Sequence, residues 1–531
     1  MIKKFFSVLF VSLLIILLNP TSAFALEPTS EQNENVPVVT VTTSEELVQA
    51  LGSTGVKYQN GVITLNNDVV LSKSINITSG TYVIVGEGVS IKRSFDGDMF
   101  VLSGEGTSLT LGKQTTETDR IDLVFNGGND VCEGSVFRIE QGAKLEMHNC
   151  VVIKNAKTSV SGGAVYNEGD FTMNGGVFED CLASSSGGAI YNVGTLILAS
   201  GNIEGCSANH GGAVYNEGKA TFGGVVISKC NAPNGGAVFN TGELQYLSAT
   251  ITECTAAAKG GAIYNSGKAV ITGGIIISNV SKDGEGGGIY NASELEISGS
   301  VLSTNTAKNG GNIYNCGNAV TDKGFSVTGG IASKNGGNIY NSELGIFTHS
   351  TGVVRLGEAV YGGGVYNLGT YNMGGAVYSN TAQVGEGVLN HGKLVLINQG
   401  YCEKKDDIFV VLTPENKHSI VVAENWAYGS KVYVSCGVAK DGKYEYSHSA
   451  GNKLLDIKGN VDASKSFELH LTDTKLAVSS DGTLEKIKEP VSKTLTTVIC
   501  VIFAYPLVTA VIVLAVRHFD KKKLGHQTEI K

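Results

Sequence analysis

The 531 residues carry 40 Lys and Arg against 49 Asp and Glu, a formal net charge of −9, with 70 Gly but only 7 Pro and 1 Trp. An acidic chain without a basic stripe excludes nucleic acid as a partner. So many glycines beside so few bulky residues exclude one large globular core and suit an elongated body built from tight turns.

The amino end, residues 1–25, has Lys3 and Lys4, an apolar run and Ala-Phe-Ala at 23–25, and reads as a secretory signal cut after Ala25. Residues 26–38 (LEPTSEQNENVPV) read as a disordered lead. Thr42 to Leu51 combines capping hydroxyls, Glu45 and Glu46 in the first turn and an apolar face, which predicts a short helix able to cap the open end of a coil. With the strand runs that follow, residues 39–160 are expected to form this cap and about four irregular coils.

Residues 161–392 are a repeat. A variant of Gly-Gly-Ala-Val/Ile-Tyr-Asn occurs ten times and closes at Asn167, Asn192, Asn216, Asn240, Asn265, Asn291, Asn315, Asn341, Asn367 and Asn390. So short and steady a period is that of one structural unit stacked on itself. Within one unit, Ala164–Asn167, Asp170–Asn174 and Val177–Cys181 alternate apolar and polar residues between glycine-rich turns. Period-2 alternation, three runs per unit and no helical spacing predict an all-β, single-stranded parallel β-helix, each strand pairing with its counterpart one coil on. Equal positions then lie about 4.8 Å apart. The motif aliphatics (Val165, Ile190, Val214 and successors) face inward, the next residue outward, and the asparagine inward again as a structural ladder. A cysteine stands at one fixed offset after each of the first four asparagines: Cys181, Cys206, Cys230 and Cys254, with Asn279 and Asn305 there in the next two units. These thiols form a second ladder, read as reduced and buried in preference to disulfides.

Beyond Asn390, residues 393–480 keep the strand signal without the motif and read as closing coils, and residues 481–494 as a charged stalk. Residues 495–516 carry no charge and are long enough to cross a bilayer, and Arg517, Lys521, Lys522 and Lys523 in the 517–531 tail mark the cytoplasmic side. The expected topology is an exported body anchored in the cell membrane by one carboxy-terminal helix, with about 17 coils spanning on the order of 80 Å.

GGAVYN at 162–167 and 211–216 and GGAIYN at 187–192 and 260–265 resemble the repeats of chlamydial polymorphic membrane proteins and of adhesin-like surface proteins of bacteria and archaea. The resemblance covers residues 162–390. It implies a right-handed, pectate-lyase-like β-helix and attachment to host or neighbouring-cell surface glycans or proteins. The companion Phe-x-x-Asn motif of that family appears clearly once, at Phe171–Asn174, and no outer-membrane barrel follows.

The outward position before the asparagine is aromatic in nine units: Tyr166, Tyr191, Tyr215, Phe239, Tyr264, Tyr290, Tyr314, Tyr340 and Tyr366, with Leu389 in the tenth. Such a stripe, about 40 Å long, is a candidate surface for sugar faces or a partner protein, with mutual stacking that stiffens the coil as its structural counterpart. Catalysis would need two facing carboxylates. The acids within the repeats (Glu168, Asp170, Glu179, Asp180, Glu204, Glu253, Glu285) occur mostly in turns, Asp406 and Asp407 adjoin on opposite faces of a strand, and His210 and His391 read as solvated turn residues. No metal-ligand spacing occurs, so no metal, cofactor or catalytic residue is expected. The leading expectation is a non-catalytic adhesin-like surface protein; a polysaccharide-active lyase or hydrolase and a passive stalk or coat are the alternatives.

Overall fold

The computed structural model describes residues 38–486 apart from 52–59, 115–122, 129, 404–405, 413–419, 428–431, 441–442, 447–453, 459 and 470–475. The signal, the membrane span and the basic tail anticipated from the sequence lie outside the described residues, as does nearly all of the lead. Among the described residues no helix is long and apolar enough to cross a membrane.

The described chain is an all-β parallel solenoid of about 15 turns. One sheet alone stacks 17 parallel strands, from Val38–Val41 to Leu455–Ile457, the number of coils the strand runs had suggested. One early coil, between Phe100 and its partner Phe137, is longer than the repeats. Each repeat contributes one strand to each of three sheets. Val165–Asn167 belongs to the first, Asp170–Met173 to the second and Val177–Glu179 to the third, and each pairs in parallel with its equivalent in the next coil: Ile190–Asn192, Thr195–Leu198 and Asn202–Glu204. The register is residue for residue: Tyr166 faces Tyr191, then Tyr215, then Phe239. Near the amino end, α1 (Ser44–Leu51) buries Leu47 and Leu51 against the first coils, and its start is a capping box in which Glu46 and Thr43 each bond the other's backbone N–H. Antiparallel pairing appears late, between Val432–Lys440 and Lys443–Tyr446 and between Leu476–Val478 and Leu484–Lys486. The last of these strands lies in the segment expected to be a stalk.

The two glycines that open the first nine copies have separate physical reasons. The first turns the corner in left-handed backbone, with φ between +63° and +71° in all ten copies from Gly162 to Gly385. The second is forced by stacking: a Cβ on Gly188 would overlap the carbonyl oxygen of Gly212, the same glycine one coil on.

Inside, one continuous core runs along the coil. The motif aliphatics from Val165 to Val388 are fully buried, each worth about 1.5–3 kcal/mol. The ten asparagines are equally buried, and their amides form a one-way chain. Asn167 Nδ2 donates to Asn192 Oδ1 at 2.6 Å, Asn192 to Asn216 at 2.7 Å, and the pattern continues to Asn367 and Asn390 at 2.6 Å. The second N–H of each interior amide bonds corner carbonyls, as Asn240 does with Gly242 and Lys268. At the amino-terminal end Asn167 Oδ1 has no partner, because the preceding coil offers Ile139 at that register.

The cysteine file changes character along the rod. Among the described residues every cysteine is a free thiol. The bond from its Cys206 neighbour, and then burial, push the Cys181 thiol well up, and burial does the same to Cys230. From Cys254 onward the file becomes amides: Cys254 N donates to Asn279 Oδ1 and Asn279 N to Asn305 Oδ1. The next two coils exchange occupants. Asn312 and Asn338, at the motif's alanine position, fill the space, while Gly330 and Gly357 stand in the file, where a Cβ would collide with those amides. The chain of amides ends on Asp406. Its carboxylate accepts the backbone N–H groups of Ser379 and Asn380 at 2.6 Å each, and burial raises its pKa against the pull of those donors. Each coil thus pairs one mid-sized polar side chain with one small residue, keeping the interior filled.

His349 enters the core in register with Met373 and shares a 2.9 Å hydrogen bond with Tyr371 Oη. Burial depresses its pKa to about 4.

Two outcomes are expected. Asn265→Ala breaks two ladder bonds, the one it accepts from Asn240 and the one it donates to Asn291, and should lower stability by about 2–3 kcal/mol, read as a drop in the urea midpoint; Asn167→Ala breaks only one ladder bond, to Asn192, and removes an unpaired oxygen, so it should cost clearly less. For His349 the unfolded chain takes up a proton near the ordinary 6.5 while the folded chain does so only near 4, so stability is full above pH 6.5 and declines as pH falls from 6.5 to 4. His349→Met, the residue found in this file at 147, 173 and 373, should flatten that decline in a melting series from pH 7 to 4.5.

Candidate functional site: the outer aromatic column

The first-sheet strands are three residues long, so each presents a single side chain outward, the residue between the inward aliphatic and the inward asparagine. That residue is the aromatic one. Successive rings from Tyr166 to Tyr366 lie with centroids 4.3–5.3 Å apart and planes 8–24° from parallel. The repeat spacing sets the first figure and the shared strand geometry sets the second.

This packing decides what the column can do. Rings stacked face to face use their faces on one another and turn only edges and hydroxyls outward. The ends are flanked too: the Arg138 guanidinium sits 4.5 Å over Tyr166, and Tyr366 packs with Leu389, its partner in register on the next coil, with His391 tilted at 46° beside it. Stacking of sugar faces on this stripe, one of the modes expected from sequence, therefore has no free ring face to use. The column is also recessed, with Tyr290 and Tyr366 buried and the other seven rings partly buried. Flanking side chains engage its hydroxyls. Tyr191 Oη donates to Glu217 at 2.8 Å; Lys259 Nζ lies 3.0 Å from Tyr290 Oη and 4.5 Å over that ring; Cys316 Sγ is 3.4 Å from the same hydroxyl. Burial raises the phenol pKa values along the column, to about 12 at Tyr340.

The carboxy-terminal end is different. The tenth copy carries Leu389, in register between Tyr366 and Phe409. Leu389, Phe409, Val411 and Tyr366 form a hydrophobic cluster separate from the main core, packed by Tyr340, Tyr361, Leu368, Val384 and Tyr444. Tyr444 comes from the late antiparallel hairpin. Its hydroxyl lies 2.8 Å from His391 Nε2 and 3.2 Å from Tyr366 Oη.

Of the other residues singled out from sequence, Glu179 and Glu204 lie in register on neighbouring coils. His391, expected to be solvated, is partly buried in this cluster, and burial depresses its pKa to about 4. His210 is also not a free turn residue: its ring packs edge-on against Phe239 at 5.1 Å, and Nδ1 is buried. Asp406 and Asp407 are both buried, the first ending the amide file and the second accepting from Ser435 Oγ. Glu204 pairs with Lys229 at 2.6 Å on the surface. Among the described residues no group of three His, Cys, Asp or Glu side chains is placed to hold a metal ion. Sequence reasoning missed Tyr444 altogether, since it lies far along the chain from the last motif asparagine, Asn390; the leucine at 389 was the signal that something else fills that place.

A broad outward surface belongs to the second sheet. Its four-residue strands present two side chains per coil, including Thr195 and Ile197, Lys219 and Thr221, Glu243 and Gln245, Lys268 and Val270, Glu294 and Glu296, and Asn318 and Val320. A shallow groove of about 390 Å³ runs across it beside Val270, Thr272, Glu294, Glu296, Asn318 and Val320.

No family model, no curated protein and no solved structure matches this chain.

Loss of one ring removes two stacking contacts. Tyr264→Ser should therefore lower the urea midpoint by an amount equivalent to about 1–3 kcal/mol; an unchanged midpoint would show that the column does not stiffen the coil.

Proposed function

We propose that this chain is an exported, membrane-anchored, non-catalytic surface protein that meets host or neighbouring-cell glycans or proteins with a lateral face of its coil. The secretory signal at 1–25, the charge-free apolar stretch at 495–516 and the basic residues after it support the placement. The likeness of the Gly-Gly-Ala-Val/Ile-Tyr-Asn copies to adhesin repeats supports the role and a right-handed coil. In this reading α1 caps the outer end of the rod, covering strand edges that would otherwise pair with another chain.

One observation carries the choice of face. The aromatic column is packed on itself and engaged by its flanks, whereas the second sheet turns two side chains outward in every repeat, most of them exposed. A flat, periodic surface of threonines, aliphatics and alternating charges suits an extended partner that makes many weak contacts in series. Ile197, Val320 and Ile346 are exposed apolar points on it.

Cells displaying the full-length chain should be retained on a glycan and matrix-protein array, and the double variant Ile197→Lys, Val320→Lys should reduce retention at least tenfold at an unchanged melting temperature. The same cells should release no fragments from acidic oligosaccharides. Fragment release without retention would replace this reading with that of a polysaccharide-active enzyme.

A further inference from the structure

The cluster at the carboxy-terminal end of the column has the construction of a binding site with its ligand in place. Its floor is Leu389, Phe409 and Val411, all at most 1 % exposed. Its walls are ring edges: Tyr361 at 4.9 Å and 75° from the Tyr444 ring, His391 at 5.5 Å and 66°, Phe409 at 6.0 Å and 72°. Two polar atoms, His391 Nε2 and Tyr366 Oη, converge on the one hydroxyl that enters. Edge-to-face contacts around a ring together with paired hydrogen bonds to its hydroxyl fit a phenol, not a sugar or an aliphatic group.

The group that fills this site does not come from the coil. Tyr444 sits on Lys443–Tyr446, a strand outside the stacked repeats that pairs antiparallel with the end of Val432–Lys440, Ala439 opposite Tyr444. The leucine at 389 makes room for it: an aromatic there, as in the nine preceding copies, would continue the column into the space the Tyr444 ring occupies.

We propose that this socket is a recognition site for a tyrosine carried on an extended strand of a partner protein, and that Tyr444 occupies it in this chain as a tethered stand-in. The tether gives Tyr444 a high effective concentration, so a partner strand competes with it and gains access when the hairpin is displaced. The hydroxyl contacts set the specificity, because a phenylalanine would remove two of the three contacts in the triangle of Tyr444 Oη, His391 Nε2 and Tyr366 Oη, keeping only the 3.2 Å contact between the last two. None of this depends on the surface-attachment reading above.

The test uses the full-length chain and a synthetic peptide of residues 437–446 as the probe. The Tyr444→Ala protein should bind the peptide at least 100-fold more tightly than the wild-type protein does. It should bind a control peptide carrying Tyr444→Ala at least tenfold more weakly, and His391→Ala added to the same protein should cost a further tenfold. Equal binding of the two peptides, or no binding by folded Tyr444→Ala protein, would overturn the proposal. Should Tyr444→Ala fail to fold, Tyr444→Phe keeps the ring and removes both hydroxyl bonds; amide exchange in residues 437–446 should then quicken at least tenfold while the coils stay protected, and unchanged exchange there would equally overturn it.

Discussion

Every feature of this molecule depends on one constraint: each residue lies directly against its own equivalent in the next coil, one strand spacing away. Parallel pairing without register shift along the three main sheets leaves like beside like. That arrangement is productive only for side chains that gain from meeting themselves. Asparagine qualifies because one amide carries both a donor and an acceptor, so a file of them closes into a continuous chain. Aromatic rings qualify by stacking. Charges do not, and in the second sheet Lys219, Glu243, Lys268 and Glu294 alternate in sign, with Lys219 and Glu243 at 3.8 Å.

The same constraint shows which parts of the architecture were legible in the amino-acid sequence. The short, steady period and the two-residue alternation inside each unit carry the parallel solenoid directly, because no other packing buries Val165 and Asn167 on one side of a three-residue strand and repeats the pattern ten times. Features arising between files were harder to read. The exchange of Asn312 with Gly330 and of Asn338 with Gly357 is invisible to a file-by-file reading, since it balances volume across two positions well separated in sequence. The burial of His391 and the use of Asp406 as the end of the amide file come from contacts with neighbouring coils that spacing alone does not specify. The ring column illustrates the limit best. Its residues can be named from the motif, but whether faces or edges point outward depends on side-chain angles, and those decide its chemistry.

For function, that distinction moves attention away from the stripe itself. The column's faces are spent on one another, and two of its hydroxyls, on Tyr191 and Tyr290, are engaged by Glu217, Lys259 and Cys316. What remains for recognition is the broad second sheet and the one place where the column is interrupted. Leu389 breaks the file, and the break is filled by Tyr444 on a hairpin from beyond the repeats. In a molecule built from self-similar contacts, a site that accepts a different kind of neighbour arises where the repetition stops.

The in-register stack itself can be measured directly. Spin labels placed in pairs along one outward file of the second sheet, with Asp170 as the fixed partner and Lys219, Lys268, Asn318 and Ile346 as the second sites, should give distances that rise in equal increments of about 4.8 Å per coil, reaching about 34 Å at Ile346. Distances that fail to rise linearly with coil number would contradict the stacking on which the ladders, the column and its socket all rest.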